Sequence, residues 1–314
     1  MNWIEKEQKR ISSKRIFDWV IKNLLFAVTI LCSSVIIWMI SFIIMKGISP
    51  FTKEYWLAGN HFQVSLLPFL TGDTWFIFPN TYGIGFVIIN TIYIMILSTL
   101  LAVPLSVCTA LFITRIAPKK IKQISISVVE LLASIPSIIY GVFGMGVITA
   151  FVKNLATLFG VQSAGGISIL STVLVLTFMI FPTITLISIT SIRFVKKDII
   201  DGSLALGASL TQTNFKVVLS SAKSGIFSGI ILGVGRALGE ATAISMVIGN
   251  KGTGPSFNLF DTSRTLTSTM LLGLKETSGM DYDIRFSVGL ILIILIIVTN
   301  LILHAVKRKI GSGQ

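Results

Sequence analysis

Three ionisable residues, Glu130, Arg236 and Glu240, lie inside long apolar stretches of this sequence. A charged side chain is costly in the middle of a bilayer, so each of them is a candidate for function. Arg236 and Glu240 are four residues apart, which on a helix places them on one face and close enough to pair. A guanidinium binds oxyanions through its forked donors, and this favours an anion pathway in which Glu240 holds Arg236. An internal ion pair that only locks helix packing is equally compatible with these residues.

Other residues of the same stretches are expected to shape the helices around this pair. Glu130 stands near the predicted cytoplasmic start of its stretch, where the helix dipole favours an acid, so we expect a structural role for it. Pro136, followed by Ser137, is expected to kink its helix. Glycines recur every four residues up to Gly233, which lets a neighbouring helix approach closely. With Gly239, which separates the charged pair, these are the predicted structural or pathway residues.

The composition indicates what kind of molecule must position these residues. Hydrophobic residues make up 53% of the 314 residues and charged residues 12%, and the mean hydropathy is +0.87. Such a chain is too apolar for a soluble globular protein, and it is not a disordered chain, a collagen or a small disulfide scaffold. The two cysteines and two histidines form no cluster with metal-ligand spacing, so no metal site is predicted.

Six apolar stretches are long enough to cross a bilayer as helices, which takes about 20 residues each. They are continuous rather than alternating in period two, and this favours helices over a β-barrel. The sequence therefore predicts an all-α, polytopic membrane protein with about six transmembrane helices. The predicted spans are Leu24–Met45, Ile84–Ile113, Ile124–Phe151, Ile167–Ile192, Gly225–Gly249 and Phe286–Ala305.

The lysines and arginines predict the orientation, because cytoplasmic segments of membrane proteins are enriched in both. With the N-terminus inside, the predicted cytoplasmic segments carry 18 of the 26 basic residues and the outer segments carry seven. Both termini are therefore expected in the cytoplasm, and the net charge of +13 reflects topology rather than nucleic-acid binding. The predicted parts are a cytoplasmic segment 1–23, a transmembrane domain 24–305 with outer loops near 46–83 and 250–284, and a cytoplasmic tail 306–314.

The basic segment 193–224, here called the coupling segment, has an acid, small residues and a glycine at fixed spacing. Two small residues follow the acid Asp201, and Gly207 stands six positions after it. This pattern resembles the EAA loop of bacterial ABC importer permeases, although Asp replaces the usual Glu and Ser220 stands where Pro is usual. In that family the loop forms a short helix that docks into a cleft of the ATPase subunit. The resemblance assigns ATPase coupling to Asp201, Gly202, Ser203, Ala205, Gly207, Ala208 and Leu219.

A narrower resemblance covers roughly residues 80–305. The segments Glu130–Gly144, Gly233–Asn250 and Arg264–Thr269 are similar to PstC-type permeases of phosphate importers. This resemblance implies a type I, MetI-like ABC importer permease fold, with the charged pair of the fifth stretch on the transport pathway. It also implies a PstA-type permease, two ATPase subunits that hold ATP and Mg, an extracytoplasmic phosphate-binding protein, and the lipid bilayer of the bacterial cytoplasmic (inner) membrane.

The function that the resemblance implies is ATP-driven phosphate import by alternating access, with no catalytic residue and no cofactor on this chain. The sequence contains no Gly-Lys-Ser or Gly-Lys-Thr, so the phosphate-cradling P-loop is absent from it. The alternatives are a permease for another oxyanion (molybdate, sulfate or phosphonate) and a secondary anion transporter or channel. A membrane enzyme is less compatible, because it would usually need a cluster of acid, His or Cys groups at one membrane face.

Overall fold

The computed structural model describes residues 3–57, 60–77 and 80–311. The ends of the predicted terminal segments, 1–2 and 312–314, lie outside the described residues. Six helices in the described part are long and apolar enough to cross a membrane, as the sequence predicts. They are Phe17–Thr52, Gly85–Ile116, Ser137–Leu158, Ile169–Arg193, Leu210–Gly239 and Met280–Ile310.

The elements follow one another with few long connections. The helices are α1 Trp3–Thr52, α2 Leu66–Thr71, α3 Gly85–Leu111, α4 Lys119–Ser134, α5 Ser137–Phe143, α6 Thr149–Leu158, α7 Ile169–Arg193, α8 Lys197–Ala205, α9 Leu210–Gln212, α10 Leu219–Gly239, α11 Thr242–Val247, α12 Leu266–Leu271 and α13 Met280–Gly311. The π-helical turns Phe112–Ile116, Gly144–Ile148 and Thr213–Val218 extend α3, join α5 to α6 and join α9 to α10. Two short antiparallel hairpins, β1 Tyr55–Leu57 with β2 Asn60–Phe62 and β3 Trp75–Phe76 with β4 Thr81–Tyr82, lie between α1 and α3 in this otherwise helical fold.

Two predicted spans have the wrong bounds, because each of them contains a break. In Ile124–Phe151 the backbone is extended at the residue before Pro136, since a proline disfavours the helical conformation of its predecessor. The spanning helix therefore begins after this break, and α4 is a separate helix. In Gly225–Gly249 the break is at Glu240, which has φ −77° and ψ 121°. The fifth spanning helix ends there and instead begins earlier, at Leu210.

Helix α7 lies at the centre of the fold, with α3 and α10 packed along it. Its residues Met179, Ile180 and Ile184 are fully buried in the main apolar core. The glycine stripe of α10 faces this helix: a Cβ at Gly233 would lie 2.8 Å from Ile184 Cγ1. This confirms the prediction that the small residues of the fifth stretch permit close helix packing.

The end of α1 and the segment between α1 and α3 contact the start of α13 through two carboxylates, Asp281 and Asp283. The Tyr55 hydroxyl donates to Asp283 Oδ2 at 2.8 Å, and Lys46 Nζ forms an ion pair with Asp283 Oδ1 at 3.0 Å. The Tyr82 hydroxyl donates to Asp281. Burial raises the pKa of both tyrosines, and the adjacent carboxylates raise each pKa further. Both hydroxyls therefore remain donors throughout the physiological pH range.

The turn between α6 and α7 depends on Gly166. This glycine has φ +87°, and a Cβ there would lie 1.9 Å from the Thr149 carbonyl oxygen. Its neighbour Gly165 has φ +66° with no atom within 4 Å of such a Cβ. We expect Gly166→Ala to destabilise the fold by about 3 kcal/mol and Gly165→Ala by about 1 kcal/mol, because only the first adds a steric clash to the strained φ. Thermal unfolding of both variants, followed by tryptophan fluorescence, checks this expectation. An equal decrease of Tm in Gly166→Ala and Gly165→Ala would contradict it.

Candidate functional site

The break after α10 creates a polar position inside the helix bundle. Because α11 begins at Thr242, its first backbone N–H groups have no helical acceptor. The Glu240 carboxylate fills this need: Oε1 accepts a hydrogen bond from the Ala243 N–H at 2.9 Å. Glu240 is 9% exposed, so this buried acid satisfies one backbone donor at the break.

Arg236 lies on the last turn of α10 and is half-buried. Its Nη1 donates to Thr183 Oγ1 at 3.0 Å, and Thr183 lies in the middle of α7. Among the described residues, Thr183 is the one hydrogen-bond partner of this guanidinium, which carries five N–H donors. The remaining donors have no hydrogen-bond partner in the part of the chain that the structure describes.

The structure does not join Arg236 to Glu240. No ion pair links them in the part of the chain that the structure describes. The four-residue spacing failed as a prediction of pairing because Glu240 is extended and its carboxylate turns to α11. Sequence reasoning also missed Thr183, because its position directly after Pro182 is the one feature that distinguishes it from the other Ser and Thr residues of the fourth stretch.

The second break in the helices lies at Pro136, between α4 and α5. At Pro136 the chain leaves α4 and enters α5, which begins with the half-buried Ser137. The Tyr140 hydroxyl bridges the break by donating to the Leu132 carbonyl oxygen at 2.7 Å. Helix α5 packs against α11, and a Cβ at Gly141 would lie 2.9 Å from the Cα of Ala243 on α11. Irregular backbone at membrane depth is tolerated where it is covered by protein or lines a cavity, so both breaks belong to one candidate site.

Two other predicted residues stand apart from this site. Glu130 is exposed on α4, which begins at Lys119, so it lies in the later part of the helix. The helix-start role predicted for Glu130 is therefore wrong, because α4 begins before the predicted span. Gly239 ends α10 and is exposed, and no atom lies within 4 Å of a Cβ placed on it.

A large cavity adjoins the break at Pro136, between α3, α5 and α7, and Leu132 and Tyr140 are among its lining residues. It has a volume of about 820 Å³ and is lined mainly by apolar side chains, among them Leu105, Phe143 and Phe178. Arg236 does not line it. A cavity without a cation does not favour an anion, because transfer of a charge into apolar surroundings is costly. The chemistry of the guanidinium, rather than the size of this cavity, therefore defines the candidate site.

The coupling segment folds as a helix–turn–helix at one end of the spanning helices. Gly207 makes the turn after α8 with φ +85°, a conformation that favours glycine. Ser209 then caps α9: its hydroxyl accepts from the Gln212 N–H at 3.2 Å, while Gln212 Oε1 accepts from the Ser209 N–H at 3.0 Å. The two arms are joined by a hydrogen bond of 3.0 Å between the hydroxyls of Ser203 and Thr213.

One side of this segment is packed and the other is open. Ile200 and Val218 are buried against the ends of α3 and α7. On the open side, Leu206 is 91% exposed at the turn. The other residues that the sequence assigned to coupling are exposed (Asp201, Gly202, Ala205, Gly207) or half-buried (Ser203, Ala208, Leu219). Four of the seven predicted coupling residues are therefore exposed, whereas Leu219 packs against the buried apolar cluster.

Six spanning helices with this helix–turn–helix define the fold of type I ABC importer permeases. The chain is similar to a subunit of the bacterial alginate ABC transporter solved with an alginate pentasaccharide-bound periplasmic protein, with a TM-score of 0.63, 17% identity and coverage of 97% of each chain. It is also similar to an inward-facing MetNI methionine ABC transporter, with a TM-score of 0.56 and 17% identity over 71% of this chain and 94% of that one.

The chain belongs to the family of binding-protein-dependent transport system inner membrane components, whose sequence model matches residues 102–312. It is 37% identical over 236 residues to the probable ABC transporter permease protein YqgH of Bacillus subtilis, covering 74% of each. It is 30% identical over 261 residues to the phosphate transport system permease protein PstC of Pasteurella multocida, covering 77% of this chain and 81% of the relative. The molecule is thus a multi-pass membrane protein and a permease subunit of an ABC importer, and its relatives are transport subunits rather than enzymes.

Proposed function

We propose that this chain is the PstC-type permease subunit of an ATP-driven phosphate importer in the bacterial cytoplasmic membrane. The observation that carries the proposal is the half-buried Arg236 guanidinium, which has one hydrogen-bond partner among the described residues. A half-buried guanidinium with free donors suits an oxyanion, because it supplies both charge and paired hydrogen bonds. The relatives named as PstC support phosphate as the ion.

The proposed assembly contains a PstA-type permease, two ATPase subunits and an extracytoplasmic phosphate-binding protein. ATP and Mg would be held by the ATPases, and this chain would bind no cofactor. Both termini would lie in the cytoplasm, as the basic residues predict. The open face around Leu206 would then contact the ATPases, while the opposite ends of the spanning helices would receive phosphate from the binding protein.

The proposed mechanism is alternating access. Closure of the ATPases would push α8, and the Ser203–Thr213 hydrogen bond would pass this motion to the start of the fifth spanning helix. That helix carries Arg236 at its far end, directly before the break at Glu240. Because α10 ends at Gly239 and α11 is a separate helix, α10 could tilt while α11 moves less. The path past Arg236 would thereby open to one side of the membrane at a time.

Phosphate uptake into vesicles that contain the co-expressed complex tests this function. With the binding protein and ATP supplied, we expect uptake that depends on ATP, persists when ion gradients are dissipated, and is competed by phosphate better than by molybdate, sulfate or phosphonate. Stronger competition by another oxyanion would reassign the substrate. Uptake that follows ion gradients and survives ATP depletion would instead indicate a secondary transporter or channel.

A further inference from the structure

The segment between α11 and α12 folds back on itself. The Ser263 N–H donates to the Ile248 carbonyl oxygen at 2.9 Å, and the Lys251 N–H donates to the Ser263 carbonyl oxygen at 3.2 Å. Residues 248–251 and 263–264 thus lie side by side, and we call them the junction. Hydrogen bonds from the start of α7 hold the segment at the end of the spanning helices that the basic residues assign to the outside.

Arg264 is buried in this junction, with 8% of its surface exposed. Its Nη2 donates to the Asn250 carbonyl oxygen at 2.7 Å. Its Nε is buried without a hydrogen-bond partner, and so are Ser263 Oγ and Asn250 Oδ1. A buried polar group left unpaired costs roughly 1–3 kcal/mol, so three such atoms on adjoining residues require an explanation.

The charge of Arg264 is also unbalanced. Within the described residues no carboxylate oxygen lies at ion-pair distance from its guanidinium. Burial lowers the pKa of Arg264 to about 10, with a smaller contribution from the positive charge of Arg285. The donors of Arg285 are directed elsewhere, to the carbonyl oxygens of Thr269 and Leu272 and to the Thr277 hydroxyl. A buried cation without a counter-charge is costly, and an anion would relieve that cost.

From these contacts we infer that the junction is a second oxyanion site, which receives phosphate on the outer side before it reaches Arg236. This inference rests on the proposed function. The free Nε–H of Arg264 and the Ser263 hydroxyl supply donors, and Asn250 Oδ1 supplies an acceptor. Hydrogen phosphate offers acceptor oxygens together with an O–H donor, whereas sulfate at neutral pH offers acceptors alone. The unpaired atoms are buried in this conformation. Binding of the ion therefore requires residues 248–251 to separate from residues 263–264.

The first test measures the thermal unfolding of the purified complex in detergent, without phospholipid, binding protein or ATP. The Arg236→Ala background removes the other candidate anion site. We expect inorganic phosphate to raise the Tm above the value in chloride at equal ionic strength, and sulfate to raise it less. Arg264→Gln should abolish this increment. The matched control Lys275→Gln, which removes an exposed charge from the same outer region, should keep it. An increment unchanged by Arg264→Gln would overturn the inference.

A second variant tests the site even where Arg264→Gln assembles poorly. Asn250→Asp places a carboxylate beside Arg264, and aspartate tolerates the backbone φ of +52° found there. The variant also loses the hydrogen bond that Asn250 Nδ2 donates to the Ser245 carbonyl oxygen, so the diagnostic quantity is the change of its Tm with phosphate. Because the carboxylate supplies the missing counter-charge, we expect phosphate to raise this Tm no further. A phosphate increment that remains intact would show that Arg264 only stabilises the junction, and would overturn the site.

These outcomes separate the site from the proposed function. A wild-type complex that imports phosphate but shows no phosphate-dependent rise in Tm would refute the junction site and leave the function standing. A complex that is stabilised through Arg264 but imports no phosphate would support the site and refute the function. Stabilisation that appears with phospholipid and is absent with inorganic phosphate would assign Arg264 to a lipid headgroup and would overturn the inference.

Discussion

Arg236→Ala is expected to reduce phosphate uptake by a factor of at least about 100, which corresponds to about 2.7 kcal/mol. In the proposed pathway the ion would lose its water inside the spanning helices, and the guanidinium would supply the compensating charge. Alanine removes this charge together with every donor that Thr183 leaves free. Uptake by the co-expressed complex in vesicles, with loaded binding protein at saturation, measures the loss. The amount of assembled complex is determined in parallel by co-purification with the ATPases.

Two further variants separate the charge of Arg236 from its position. Arg236→Lys keeps the charge and loses the forked geometry, so uptake should recover in part. Thr183→Val keeps the guanidinium and removes the hydroxyl that orients it, and we expect about a tenfold reduction at most, comparable to the loss of one hydrogen bond. Normal uptake by Arg236→Ala in an assembled complex would assign this arginine to helix packing and would remove it from the pathway.

The spans could be predicted because length and apolarity decide whether a helix can cross a bilayer. The breaks within them were harder to place. Pro136 carries a local signal, yet the sequence could not decide between a kinked helix and two separate helices. The end of α10 has a weaker signal, a glycine before Glu240, and it depends on the capping of α11 by that acid. The predicted ion pair between Arg236 and Glu240 is absent for this reason. A spacing of four residues brings two side chains together only within one continuous helix, and α10 ends before Glu240.

The coupling segment was predictable in more detail than the segment between α11 and α12. Its turn and caps are local, since Ser209 and Gln212 are three residues apart and form their hydrogen bonds within one turn. Arg264 illustrates the opposite case. Its burial depends on a contact with Asn250, 14 residues away, and on packing at the start of α7. No local pattern of a single sequence reports such contacts, and Arg264 was therefore singled out only as the first residue of the segment Arg264–Thr269.

Gly207→Val is expected to reduce ATP-dependent uptake at least about tenfold, because a β-branched residue is a genuine outlier at positive φ. Gly207 has φ +85° and stands between α8 and α9, so a change of its backbone redirects the exposed face around Leu206. A steric clash is not the cause, since no atom lies within 4 Å of a Cβ at this position.

Gly207→Asn is the matched control: asparagine adds a side chain of similar size at the same open site but tolerates the left-handed conformation. Uptake and ATPase co-purification should fall in the valine variant and remain near wild type in the asparagine variant. Equal losses in both would mean that the side chain blocks docking, and equal activity would mean that this turn does not transmit the motion of the ATPases.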